Sequence, residues 1–177
     1  EALRQYEELS KHRESRKKGD GAKTRVSTTD PDARKMKMAN GGFDPAFNVQ
    51  FATDADARVI VAVDVTNSGA DSGQMEPMHE KVSSTYDKTP KTQLVDSAYA
   101  TKEDVKIVES KGTEVVSSVP RGSVLEKKGK DPHARQPGES DEYTAFRARM
   151  AKEEYKELYK TRPSVAEFPN ADCRNRN

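Results

Sequence analysis

The sequence contains no tryptophan, one cysteine, three widely separated histidines and no long apolar run. Each absence removes a class of protein. Cys173 alone cannot close an intrachain disulfide and gives no zinc-ligand spacing. His12, His79 and His133 stand far apart in polar surroundings, which argues against a histidine metal centre. No stretch approaches the length that spans a bilayer and no secretory signal is visible, so the chain reads as cytoplasmic, without a membrane partner. The net charge of +1 announces no nucleic-acid partner through a global field. Internal repeats are absent as well.

Apolar residues are also scarce. At 32% hydrophobic against 34% charged, the 177 residues supply a small core beneath a large solvated surface. A complete domain of this size generally buries more. The chain also opens at Glu1 inside helix-forming sequence. Both features suggest part of a larger domain. The charge that is present is unevenly spread. Residues 11–25 form a basic cluster, and Arg147, Arg149, Arg162, Arg174 and Arg176 recur later. Such a local face can bind phosphate at near-zero net charge, although a solvated surface explains any one cluster equally well.

Periodicity predicts a helix over 1–18, with Leu3, Tyr6 and Leu9 on a short apolar face. Residues 19–45, punctuated by glycine and proline, read as an extended connector. Strands are predicted at 46–53, where Phe47, Val49 and Phe51 alternate with polar residues, and at 58–66. The four residues between them indicate an antiparallel hairpin, and the second strand, apolar on both faces, calls for helices over the sheet. Next come a helix at 71–87 with Pro77 as its weak point, a strand at 92–95, a helix at 102–111, a strand at 114–119, a mobile loop at 120–140 and a long helix at 140–159. This order predicts an α/β fold with one mixed sheet flanked by helices.

Two carboxylates could carry chemistry. Asp96 follows the strand residues Leu94 and Val95, at the kind of strand end where α/β sites gather, although a turn or cap role fits the position too. Glu167 comes after Pro163 near a late helix start, where an ordinary surface glutamate is also at home. Taken together they gain meaning, because phosphodiester chemistry uses clustered carboxylates to hold paired divalent ions about 4 Å apart. Hard oxygen ligands select magnesium or manganese.

Several motifs then occur in register. They are Ser27-Thr-Thr-Asp-Pro-Asp-Ala-Arg-Lys-Met-Lys37, Gly41-Gly-Phe43, Asn48-Val-Gln50, Asp64-Val-Thr-Asn67 with Asp71 and Gln74, and Leu94-Val-Asp-Ser-Ala-Tyr-Ala100. From about residue 25 onward the chain resembles the DDE-type transposases of bacterial insertion sequences. The tail, Tyr159-x2-Arg162-x4-Glu167-x6-Arg174, resembles that family's Y-x2-R-x3-E-x6-K signature, with one extra residue before the glutamate and arginine in place of lysine.

The resemblance implies an RNase H-like fold and metal-dependent cleavage and strand transfer of DNA at transposon ends, using magnesium or manganese. It matches Asp96 and Glu167 to the second and third catalytic, metal-holding acids, and Tyr159, Arg162 and Arg174 to DNA-contacting positions. Paired-end cutting implies a homodimer on DNA. The first acid belongs to a central first strand expected upstream of residue 1. Residues 1–24 then represent the end of a charged helical insertion, and residues 25–177 a partial catalytic domain. Asp20-Gly-Ala22 only imitates the first-acid motif, and Asp30, Asp32 and Asp64 are other stand-ins, Asp64 the best placed of them. Without the first strand, the chain is expected to expose sheet edges, to be marginally stable or aggregation-prone, and to lack nuclease activity. The alternative is a dead remnant that at most binds DNA. A nuclease of the same fold unrelated to transposition is a more distant reading.

Overall fold

The computed structural model describes residues 1–16, 19–167, 169 and 171. The chain divides into two compact units, Glu1–Gln50 with Val65–Gly69, and Phe51–Asp64 with Ala70–Asn177. No described helix is long and apolar enough to cross a membrane.

In the first unit, helix α1 (Ala2–Glu14) buries no residue, as its short apolar face foretold, and Leu3 stays 72% exposed. The following turn tucks against it. Ser10 donates to the Gly21 carbonyl at 3.0 Å, and a Cβ at Gly21 would stand 2.1 Å from a Glu14 carboxylate oxygen, so a larger residue there would have to displace the Glu14 side chain. Strands β1 (Arg34–Lys37) and β2 (Phe43–Ala46) form an antiparallel pair within the segment expected as a connector. The hairpin escapes a hydrophobic-pattern reading because β1 alternates Arg34 and Met36 with two lysines rather than with a clear apolar set. Its turn closes where the Asn40 side chain accepts from the Gly42 amide at 2.8 Å, beside Gly41 at φ 84°.

Strands β3 (Asn48–Asp54) and β4 (Val59–Thr66) pair as a second two-stranded sheet. The Asp54 carboxylate accepts from the Asp56 and Ala57 amides at 3.0 and 2.7 Å, while Arg58 takes a left-handed conformation at φ 53° to complete the reversal. The helical cover expected on both faces of β4 is not met among the described residues, since Val59, Ile60 and Val63 remain 51%, 41% and 42% exposed. On the side that is met, Tyr86 donates to the Val61 carbonyl at 3.0 Å and Lys81 pairs with Asp64 at 2.9 Å, both from helix α2 (Met75–Tyr86).

Pro77 does not break α2 because it is the third helical residue, where an amide hydrogen would lack a helical partner anyway. Asp104 serves the free amides before and within that first turn, accepting from Gly73 at 3.0 Å and Glu76 at 3.4 Å. It belongs to helix α3 (Lys102–Ser110), which Thr101 caps by accepting from the Asp104 amide. α3 links β5 (Thr92–Leu94) to β6 (Glu114–Val116), which run parallel with Leu94 opposite Val116. A parallel pair needs such a crossover.

The core gathers beside this unit: Met75, Val105, Val108, Val115, Val116, Tyr143, Phe146 and Met150 are buried together. Helix α4 (Gly122–Lys127) lies inside the segment expected as a loop. The long helix expected over 140–159 is two helices, α5 (Asp141–Met150) and α6 (Glu153–Lys160), with Lys152 extended at ψ 140° between them. Residue phase explains the break. Continuing the stripe of Tyr143, Phe146 and Met150 at helical spacing would bring Glu153, Glu154 and Glu157 inward, whereas the interruption rephases the chain so that Tyr155 and Tyr159 pack on the core instead. α7 (Arg162–Ala166) follows.

The architecture is mixed α/β, with small sheets flanked by helices and no closed barrel, consistent with an RNase H-like fold. In place of the one mixed sheet expected, the described residues form three two-stranded sheets.

Candidate active site

The parallel pair β5–β6 delivers two side chains at its carboxyl end. Pairing extends one residue past β5, where the Val95 amide donates to the Val116 carbonyl at 3.0 Å, and the chain turns at Asp96. The two carboxylate oxygens of Asp96 divide its work. Oδ1 accepts from the Ala98 amide at 3.2 Å and the Ser97 hydroxyl at 3.3 Å, the turn role available to any aspartate here. Oδ2 faces the Arg162 guanidinium at 3.2 Å. Two residues beyond β6, the Ser118 hydroxyl stands 3.3 Å from the Tyr159 hydroxyl at the end of α6.

Arg162 opens α7 and Glu167 is its C-cap. The same Arg162 nitrogen that meets Asp96 lies 4.0 Å from Glu167 Oε1. The five-residue helix thus folds its first side chain and its cap toward a single point, with Pro163 fixing φ in the first turn. The Arg162 side chain is 22% exposed, Asp96 43% and Glu167 65%. Ion pairs this open contribute about 0–1 kcal/mol, so this contact organises the site more than it stabilises the fold.

The structure therefore brings Asp96, Glu167 and Arg162 together and sets Tyr159 next to Ser118. Arg174 and Cys173 lie outside the described residues. The stand-in aspartates are engaged elsewhere: Asp20 caps a turn at the Ala22 amide, Asp30 accepts from the Asp32 amide, the Asp32 carboxylate faces Gln5, and Asp64 pairs with Lys81. Ser118 was not singled out from the sequence. Its signal was there, since it follows β6 much as Asp96 follows β5.

Oxygen donors of this kind suit a hard divalent ion, and two carboxylates converging on one guanidinium already share a position for positive charge. Among the described residues, no group of three His, Cys, Asp or Glu side chains is placed to hold a metal. The two described histidines with buried or partly buried partners serve packing. His79 bonds Thr113 at 2.8 Å, and His133 bonds the Arg147 carbonyl at 3.1 Å. Burial, and then the charge of Lys111, hold the His79 imidazole below its ordinary pKa.

A family model described as the transposase DDE domain matches residues 16–165, most of the chain, stopping two residues short of Glu167. Comparison with curated proteins and with solved structures gives no match. Enzymes of the matched family act on DNA and generally depend on divalent metal ions. By the extent of that match, the chain belongs to the transposase DDE domain family.

Proposed function

We propose that this chain contributes to metal-dependent cleavage and strand transfer of DNA at the ends of a bacterial insertion sequence, with Asp96 and Glu167 as two of its catalytic carboxylates. The observation that carries the reading is the shared approach of both carboxylates to Arg162, at 3.2 and 4.0 Å, at the carboxyl end of the parallel strands. Asp96 Oδ2 and Glu167 Oε1 would hold magnesium or manganese. Such ions, when bound in a pair, activate the attacking oxygen and stabilise the leaving one. Asp96 keeps its Oδ1 in the turn, which fixes the direction of Oδ2. Arg162 carries five donors in a planar fork and suits a DNA phosphate, with Tyr159 and Arg174 as further contacts. A dimer on DNA would present two such sites to paired ends.

One observation favours the alternative of a remnant that at most binds DNA: no third carboxylate joins Asp96 and Glu167 among the described residues. Manganese-dependent nicking of DNA carrying the element's ends separates the two, using a protein extended upstream of Glu1. The proposal expects nicking that Asp96→Ala and Glu167→Ala each abolish without unfolding the protein. A folded protein that never nicks, or nicks equally well without these carboxylates, contradicts it.

A further inference from the structure

One face of the β1–β2 hairpin collects cations and an aromatic ring without a carboxylate. Alternate residues of a strand share a face, as do residues directly opposite in an antiparallel pair. The register Lys35↔Pro45 and Lys37↔Phe43 therefore sets these four side chains on one side, while Arg34, Met36, Asp44 and Ala46 occupy the other. The only acid of the two strands is thus turned away from the lysines. Arg25 and Ser27 of the preceding connector join Lys35, Phe43 and Pro45 around a cleft of about 240 Å³.

Beyond the contact of Lys35 with the Phe43 ring, the groups on this face have few charge partners in the protein. Phe43 is 57% exposed, and Lys35 Nζ stands 4.9 Å from its ring centroid. Among the described residues, Arg25, Lys35 and Lys37 form no ion pair within 4.0 Å. An exposed ring costs hydrophobic free energy, and unpaired cations on one face repel one another, so both costs fall when a polyanion with a stacking surface binds. Duplex DNA offers phosphates to lysines but keeps its bases stacked inside. A single strand offers phosphates and an open base face together.

We propose that this face binds single-stranded DNA, with backbone phosphates at Arg25, Lys35 and Lys37 and one unstacked base on the Phe43 ring. The inference rests on DNA as the substrate but not on the carboxylate assignment. Binding of a short fluorescent oligothymidylate to the full chain, followed by anisotropy across a salt series, tests it. Phe43→Leu weakens binding by about fivefold to a hundredfold, the range of one lost base–aromatic stack, without changing the salt slope. Lys35→Gln with Lys37→Gln lowers the slope of log affinity against log salt by about 1.4, at about 0.7 per phosphate contact on a single strand. An oligonucleotide carrying 5-iododeoxyuridine crosslinks on irradiation to the peptide containing Phe43 in the unaltered protein, a readout that needs no variant to fold.

Wild-type affinity and slope in both sets of variants, or crosslinking only elsewhere, overturns the inference. A duplex of equal length that competes equally well, with no effect of Phe43→Leu, overturns it too. Loss of binding with Arg162→Ala alone assigns the DNA contact to the carboxylate site. That outcome refutes the hairpin proposal while sparing the proposed function.

Discussion

At the scale of single residues, several side chains were chosen by burial rather than by chemistry with a substrate. Arg147 and Glu139 are both nearly inaccessible and lie 2.9 Å apart, with Arg147 also donating to the Pro132 carbonyl and Lys102 standing 3.3 Å from the same carboxylate. Arg147→Met leaves Glu139 buried with only the half-exposed Lys102, so it should cost about 3 kcal/mol, the lower end for breaking a buried pair, read as a shift in the urea midpoint. A shift near zero would show that Glu139 reaches water. His79 acts differently. Its imidazole is held below the ordinary value of 6.5 by burial first and Lys111 second, so the unfolded chain takes up the proton before the folded one does. Its contribution is complete above about pH 6.5 and declines as the pH falls toward the lower folded value, below which it changes no further. His79→Gln should flatten that part of the stability–pH profile. An unchanged profile would contradict the assignment.

At the scale of elements, one carboxylate ties two helices to their starting points. Asp104 receives the Thr101 hydroxyl at 2.6 Å and the Gly73 amide at 3.0 Å, so Asp104→Ala should cost about 2 kcal/mol, more than an ordinary cap. Asp104→Asn should recover part of it in thermal melts, and a loss no larger than for an exposed aspartate would contradict the role. Helices α2 and α3 and strands β5 and β6 were legible in the sequence, the strands as short apolar runs and α3 because Gly112 marked its stop. Asp96 was legible for the same reason, as the residue ending an apolar strand. The β1–β2 hairpin was not, because half of its strand residues are charged, Pro45 interrupts the strand pattern, and only register gives the strands two faces. The break at Lys152 was also hidden, since each half of 140–159 reads as good helix and only the phase of Tyr143, Phe146 and Met150 against Tyr155 and Tyr159 shows that one rod cannot bury both sets. The bridging place of Arg162 could come only from three-dimensional contact, although its spacing from Tyr159 marked it for attention.

At the scale of the whole molecule, the apolar residues that do not find cover matter as much as those that do. Val59, Ile60 and Val63 are substantially exposed along β4, in a sheet that among the described residues has only two strands and leaves strand edges unpaired. Edges of this kind recruit other strands, so the purified chain should associate with rising concentration in sedimentation velocity, and Ile60→Lys should reduce that association. A monomer at every concentration would contradict this. The central claim concerns the site in the second unit where Asp96 and Glu167 share a position for positive charge that Arg162 fills. Manganese titration of the chain, followed by electron paramagnetic resonance, tests it most directly. The account predicts weak binding that Asp96→Asn and Glu167→Gln each reduce at least tenfold, about 1.4 kcal/mol, and that Arg162→Ala preserves or tightens by removing the competing cation. Manganese affinity indifferent to both carboxylates, or lost with Arg162→Ala in a folded protein, would contradict it.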